Sequence, residues 1–433
     1  MEINGPGLSL APALLLSLSL LLGEVAVGAL KISGELRRAR GADEASLARR
    51  ASISGLIDRS DLTYLTNLTL GGSEYRCLID TGSSDLWVAA DVPNAKDTGK
   101  TASVNYAIGA ANGPIKTAQL QFEGYTIENQ AFIQATPDSN HAVNEGIIGL
   151  GPNSGSNVQQ AFANSAGDAV LDRIFRQNTS TPNYLTILLG RSDDVSNLFP
   201  GDLTVGEVVS SYQNITSQPK LAVSQVSTPS GQHWQTLLDT NGIIGPDGQP
   251  IKVTSKNAPK DRLNVVFDSG FSLPQVPKPV ADAIYARVPN ATFINTSAGE
   301  LWSLPCDVEL NITFKFAGVS FPIHPVDTNM DDLAITDTAG NKICAGAFQP
   351  ITTAASPNFD MILGMAFLRN AYLLINFGDF VDGASDKVGN PYIQLLPLTD
   401  PAQAHADFVK VRMNGVDETN FQLPRAPRYG GRR

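Results

Sequence analysis

Two stretches of this chain carry one pattern: Leu78-Ile79-Asp80-Thr81-Gly82-Ser83-Ser84 and Val266-Phe267-Asp268-Ser269-Gly270-Phe271-Ser272. Each runs two apolar residues into Asp, a hydroxyl residue and Gly. Each is followed later by an apolar-apolar-Gly segment, Ile147-Ile148-Gly149 and Ile362-Leu363-Gly364. Parts repeated in the same order in two halves of one chain indicate an internal duplication. The physics of such a pair is specific. A strand ending in Asp, with Gly two residues on, lets the backbone turn sharply so that its N–H groups point at the carboxylate. The intervening Thr or Ser can hydrogen-bond across to the other half. If the loops meet on a pseudo-twofold axis, the two carboxyl groups lie too close for both to ionise easily. They share one proton, and a water held between them becomes a nucleophile. A lone Asp-Thr-Gly carries little information, because turn residues of this kind are common. Leu238-Asp239-Thr240-Asn241-Gly242 lacks Gly in register and any matching downstream segment, and reads as a plain turn.

The composition fits a duplicated β protein. The 433 residues suffice for two lobes, and charged residues are 17% against 38 Gly and 27 Pro, so short strands and turns should dominate a mainly β fold. A formal charge of −11 argues against a nucleic-acid partner. The acidic excess lies in residues 51–400, which suits an acid milieu. The four histidines, His141, His233, His324 and His405, are scattered without metal-ligand spacing, so no metal is expected and each reads as surface or structural. Gly149-Leu150-Gly151-Pro152 lacks the third Gly and the βαβ setting of a nucleotide loop. A carboxylate pair would also serve a glycosidase, but that gives no reason for duplicated Gly turns.

The ends of the chain read as processing segments. Leu8 to Leu22 is rich in Leu, Ala and Ser and leads into Val27-Gly28-Ala29, so 1–29 reads as a secretory signal, although no Lys or Arg precedes the apolar run. Residues 30–50, with Arg37-Arg38, Arg40 and Arg49-Arg50, read as a basic pro-segment able to lie across a carboxylate site in cis. Residues 401–433 read as a polar, poorly ordered tail without a membrane anchor. Sequons at Asn67, Asn178, Asn214, Asn290, Asn295 and Asn311 are glycosylation candidates on a secreted chain, Asn67 being in a strand-like run near the proposed site. Three cysteines allow one bridge. Cys306 and Cys344, in one half, are the expected pair, and Cys77 is a buried thiol acting as a small hydrophobe.

From about Tyr64 to Pro397 the chain resembles the pepsin family, and within it secreted fungal enzymes. Asp80-Thr81-Gly82-Ser83-Ser84-Asp85-Leu86-Trp87-Val88 is similar to the first active-site motif and Asp268-Ser269-Gly270 to the second. The resemblance implies a bilobal β fold of two six-stranded-barrel-type lobes with a cleft between them. The lobes would be 51–207, with Asp80 and a flap, and 208–400, with Asp268. It implies catalytic Asp80 and Asp268 supported by Thr81, Gly82, Ser83, Ser269 and Gly270. Val104-Asn105-Tyr106-Ala107-Ile108-Gly109 resembles the hairpin flap over substrate, with Tyr106 and Gly109 binding substrate and Trp87 as the Tyr106 partner. Gly149 and Gly364 resemble the segments crossing beneath the catalytic loops, and Cys306–Cys344 the family's C-terminal-lobe disulfide. The implied protein is an aspartic endopeptidase acting on peptides and proteins, monomeric, without cofactor, and extracellular or vacuolar. The competing expectation is a catalytically silent homologue that binds peptides or proteins. One departure stands out: many relatives place a hydroxyl residue after the second motif's Gly, where this chain has Phe271. The expected result is altered pH dependence, unless Ser272 compensates.

Overall fold

The computed structural model describes residues 56–59, 61–106, 109–137, 142–178, 180–191, 199–296, 299–336, 342–352, 356–378 and 389–419. The proposed signal at 1–29, the basic segment at 30–50 and His141 lie outside the described residues.

The duplication is visible in strand register. Ser73–Asp80 alternates Tyr75, Cys77 and Ile79 into the core, and its last residue opposes Gly149 on the parallel strand Glu145–Gly149. In the second half Asn264–Phe267 runs parallel to Met361–Leu363, with Phe267 opposite Leu363. Each downstream strand then pairs antiparallel with one that follows its loop, Leu86–Ala89 or Gln275–Val276. Those two in turn lie parallel to Tyr125–Ala135 and Gln349–Pro350. A parallel, antiparallel, parallel order therefore surrounds both Asp-bearing strands.

In the first half Thr63–Leu70, Ser73–Asp80, Glu145–Gly149, Leu86–Ala89, Tyr125–Ala135 and Ala110–Phe122 close into a barrel, since the last also pairs with the first. Closure removes the sheet edges. The second half divides its strands among sheets of five, three and four strands. Beneath its Asp-bearing strand, Phe267, Phe314, Phe316 and Phe367 pack with ring centroids 5.4–6.1 Å apart. Cys306 and Cys344 form a disulfide, and Cys77 is buried, which pushes its thiol far above the usual range and leaves it inert.

A further five-stranded sheet takes strands from both sides of residue 207. Tyr184–Leu189 pairs with Ala371–Asn376, flanked by Gly201–Val205, Tyr392–Pro397 and Leu221–Ala222. The halves are also joined by charge. Asp327 receives Arg191 Nη2 at 2.6 Å, Arg369 Nε at 2.6 Å and Asn370 Nδ2 at 2.8 Å, with Asp327, Arg369 and Asn370 buried and Arg191 half-buried. Burial alone would raise the Asp327 carboxyl, but the two guanidinium groups hold it well below the usual range.

The structure corrects one expectation. Pro401–Arg412, read as poorly ordered tail, is a helix. Asp400 caps it by accepting the N–H groups of Ala402 and Gln403, Pro401 sits at its first position, and Ala404, Phe408 and Val409 are buried. His405 meets Glu309 at 2.9 Å, and Arg412 pairs with Asp331. The apolar residues are few but spaced to share one face, and that spacing outweighs the polar composition.

Candidate active site

Asp80 ends strand Ser73–Asp80 and Asp268 directly follows strand Asn264–Phe267, and each following Gly lets the other half come close. A Cβ on Gly82 would stand 2.0 Å from Asp268 Oδ2, and one on Gly270 would stand 2.4 Å from Asp80 Oδ1. The two glycines are where the opposing carboxyl groups lie. The turns also supply donors: Gly82 N–H to Asp80 Oδ1 at 2.9 Å and Gly270 N–H to Asp268 Oδ1 at 2.8 Å. Both Asp side chains are almost entirely buried.

Four crossed hydrogen bonds hold the loops face to face. Thr81 Oγ1 donates to the Phe267 carbonyl at 2.9 Å and Ser269 Oγ to the Ile79 carbonyl at 2.8 Å. Each hydroxyl in turn accepts the backbone N–H of the other's residue, at 3.0 and 3.1 Å. Beneath them, Gly149 and Gly364 allow chain crossings: a Cβ would meet Asp85 N at 2.5 Å or the Phe271 carbonyl at 2.2 Å.

The two carboxyl groups are not equivalent. Asp80 also accepts the Ser83 hydroxyl. At the matching place beside Asp268 stands the Phe271 ring, packed with Val266, Phe359 and Ile362. Ser272 does not compensate, because its hydroxyl donates to the Leu62 carbonyl. Burial first, and the neighbouring Asp80 charge second, push the Asp268 carboxyl well above the usual range.

Above the pair, the hairpin of Lys96–Asn105 and Ala110–Phe122 carries Tyr106, whose N–H bonds the Gly109 carbonyl at 3.0 Å. Gly109 has φ +80°, the left-handed conformation that favours glycine. Trp87 Nε1 donates to the Tyr106 hydroxyl at 2.7 Å. That fixes the ring and leaves the phenol un-ionised, its pKa raised by burial and then by the Asp80 charge.

Sequence reading missed three supporting residues. Asp85 accepts the Ser156 hydroxyl and the N–H groups of Asn157 and Val158, so it anchors the first loop to the start of helix Asn157–Phe162. Trp234, fully buried, donates its indole N–H to the Leu150 carbonyl at 2.9 Å, tying the halves behind the site. His233, beside it, lies edge-on to Phe359, with ring centroids 5.5 Å apart, and burial lowers its imidazole pKa while the Asp80 charge partly raises it. The partners of all three lie dozens of residues away, so no local motif marks them. Of the sequons, Asn214, Asn290 and Asn311 are exposed, Asn67 and Asn178 are half-buried, and the Asn295 side chain lies outside the described residues.

The chain has counterparts among known proteins. The family model described as eukaryotic aspartyl protease matches residues 90–381. The "Major aspartyl peptidase 1" of Cryptococcus neoformans var. grubii is 23% identical over 404 residues, 82% of this chain and 78% of its own length. The "Probable aspartic-type endopeptidase CTSD" of Trichophyton verrucosum is 24% identical, the match covering 74% of this chain and 60% of that protein. "Cathepsin E" of Mus musculus is 24% identical over 351 residues, 75% of this chain and 80% of its own length.

Proposed function

Because the chain belongs to the eukaryotic aspartyl protease family, we propose that it is a secreted endopeptidase that cuts peptide bonds in acid with a water activated between Asp80 and Asp268. The observation that carries the reading is the unequal pair. Asp80 accepts the Gly82 N–H and the Ser83 hydroxyl, while burial first and the Asp80 charge second push Asp268 towards keeping its proton.

Asp80 accepts a proton from the water as its oxygen attacks the scissile carbonyl carbon, and Asp268 gives its proton to the carbonyl oxygen. A neutral tetrahedral diol results. The proton on Asp80 then passes to the leaving nitrogen, the C–N bond breaks, and a diol proton returns to Asp268. The crossed Thr81 and Ser269 bonds keep the two groups at a fixed separation, so little reorganisation accompanies the step. The Tyr106 hairpin closes over an extended peptide, and strand-like backbone bonding gives broad sequence preference.

The leader and basic segment are read as a secretory signal and a cis-acting inhibitor. Among the described residues no helix is long and apolar enough to cross a membrane. An extracellular or vacuolar destination, a monomeric state and glycans at the exposed sequons fit that reading.

The test is hydrolysis of acid-denatured globin between pH 2 and 7 by the protein freed of residues 1–50, beside Asp268→Asn. Acid-side activity that disappears in the variant and is blocked by a statine-type analogue supports the reading. A folded wild type with no activity would replace it with a peptide-binding homologue.

A further inference from the structure

Ser84 and Ser272 occupy matching positions of the duplicated pattern, yet their hydroxyls are tied down differently. Ser84 Oγ donates to the Pro152 carbonyl at 2.7 Å, inside its own half. Counting on from the crossing glycines, Gly149 and Gly364, the counterpart of Pro152 is Phe367. Phe367 lies in helix Met365–Leu368, and its carbonyl accepts the Asn370 N–H at 2.8 Å. Ser272 Oγ crosses instead into the first half and donates to the Leu62 carbonyl. That carbonyl is held by a hairpin, in which strand Ile57–Arg59 pairs antiparallel with Thr63, Tyr64 and Leu65. In the connection Asp61 takes φ +58°, gives its N–H to Asp58 Oδ1 at 2.9 Å and receives Arg369 Nη1 on its carbonyl at 2.7 Å. Arg369 also belongs to the Asp327 clamp. The outer strand is seated by Leu56, which is buried and gives its N–H to the Gly201 carbonyl at 3.1 Å.

We propose that Ser272 is a positioning residue for Asp268: its hydroxyl ties the second catalytic loop to the first half at Leu62, so that alignment of the carboxyl pair depends on the seating of strand Ile57–Arg59. The inference rests on the proposed aspartic-endopeptidase reading.

The other anchors of the second loop act at its base and its inner side. Ser269 crosses to the first loop, and the Gly270 N–H turns back to Asp268 Oδ1. The carbonyls of Phe271 and Ser272 accept the N–H groups of Met365 and Ala366, at 2.7 and 3.3 Å. The Phe271 ring contributes apolar packing. Downstream of Gly270 the loop reaches the first half through the Ser272 hydroxyl. A misplacement of about 1 Å in a reacting group costs on the order of 100-fold in rate. With the remaining anchors in place, loss of the Ser272 bond loosens the loop rather than displacing it, so the expected loss is smaller, about three- to tenfold.

The test compares wild type with Ser272→Ala, which removes the bond, and Ser272→Thr, which keeps a hydroxyl. The readout is kcat and KM on one peptide substrate in acid. Ser272→Ala should lower kcat about three- to tenfold with KM nearly unchanged, and Ser272→Thr should restore it. Leu56→Ala, which loosens the seat of the outer strand, should lower kcat in wild type and add little in the Ser272→Ala background. An unchanged kcat in Ser272→Ala, a loss that Ser272→Thr does not restore, or losses that simply multiply in the double variant overturn the proposal. A second readout needs no activity. Hydrogen exchange is followed in peptides covering 56–65 and 268–274, where Ser272→Ala should speed exchange in both and Ser272→Thr in neither. Faster exchange in only one of them, or in none, overturns the proposal. A wild type without acid proteolysis would sink the functional reading instead, and the exchange arm would still decide whether loop and hairpin are coupled.

Discussion

Replacing Phe271 by Thr puts a hydroxyl where the second carboxyl has an aromatic neighbour, and the structure sets both sign and size. Asp80 accepts the Ser83 hydroxyl, whereas on the other side the Ser272 hydroxyl is committed to the Leu62 carbonyl. A hydrogen bond to an ionised group is worth about 1.5–3 kcal/mol net, and partial access to water in the cleft brings that to roughly 1.4. Since 1.36 kcal/mol corresponds to one pKa unit, Phe271→Thr should lower the upper apparent pKa of the pair by about one unit. Activity requires one proton on the pair, so the alkaline limb of kcat/KM moves towards acid while the acid limb moves little. The ring packs beside Val266, Phe359 and Ile362, and its loss should cost about 1–2 kcal/mol of stability. The assay is the pH profile of peptide hydrolysis with the melting temperature recorded beside it. A folded variant whose alkaline limb stays put or moves upward would refute the reasoning.

Three further outcomes test the scaffold. Burial first, then the charge of Asp61, raises the Asp58 carboxyl to about 7 from 3.8. Its folded pKa lies above its unfolded one, so its contribution is complete below about pH 4 and lost as pH rises through about 7. Asp58 is partly exposed, so solvent screening reduces the contribution to about 1–2 kcal/mol. Asp58→Asn should flatten the fall in urea midpoint across that window, and an equally steep fall in the variant counts against the assignment. Asp327→Ala removes the carboxylate from buried Arg369 and half-buried Arg191 and should cost about 3–5 kcal/mol in urea unfolding, with less than about 1 contradicting the clamp. The same carboxyl is depressed in the fold, so the clamp keeps its strength until pH falls below the usual carboxylate range. Replacing Cys306 and Cys344 by Ser opens a loop of 38 residues, for which chain entropy sets an upper loss of about 4 kcal/mol; an unchanged melting temperature would show that the strand pairing Leu304–Cys344 alone suffices.

The repeated Asp-hydroxyl-Gly pattern made the centre of this site readable, because the pattern itself encodes the local requirements. Gly82 and Gly270 must lack Cβ, and Thr81 and Ser269 must offer hydroxyls. The disulfide was readable because Cys306 and Cys344 lie together in one half of the chain, apart from Cys77. The roles of Asp85, His233 and Trp234 were hidden because each is defined by partners in distant segments, and one-dimensional spacing carries no such information. The fate of Ser272 was equally hidden, since Leu62 lies 210 residues away. The helix after Asp400 was missed for another reason. Asp-Pro followed by Ala404 and Phe408 is a legible start signal, but average polarity was given more weight than caps and spacing.

The four bonds that cross between Thr81 and Ser269 join residues 186–190 positions apart. Contacts of that span form late, because each half must first order its own sheets before the closure entropy between them can be offset. Until then each carboxyl group sits on a loop without its opposite number and has no partner with which to share a proton. On the proposed mechanism, a nascent or half-folded molecule would therefore be unable to cleave peptides. The long-range contacts expected to form last are thus the same ones that bring the carboxyl pair together, so on that mechanism activity would arrive only with the completed fold.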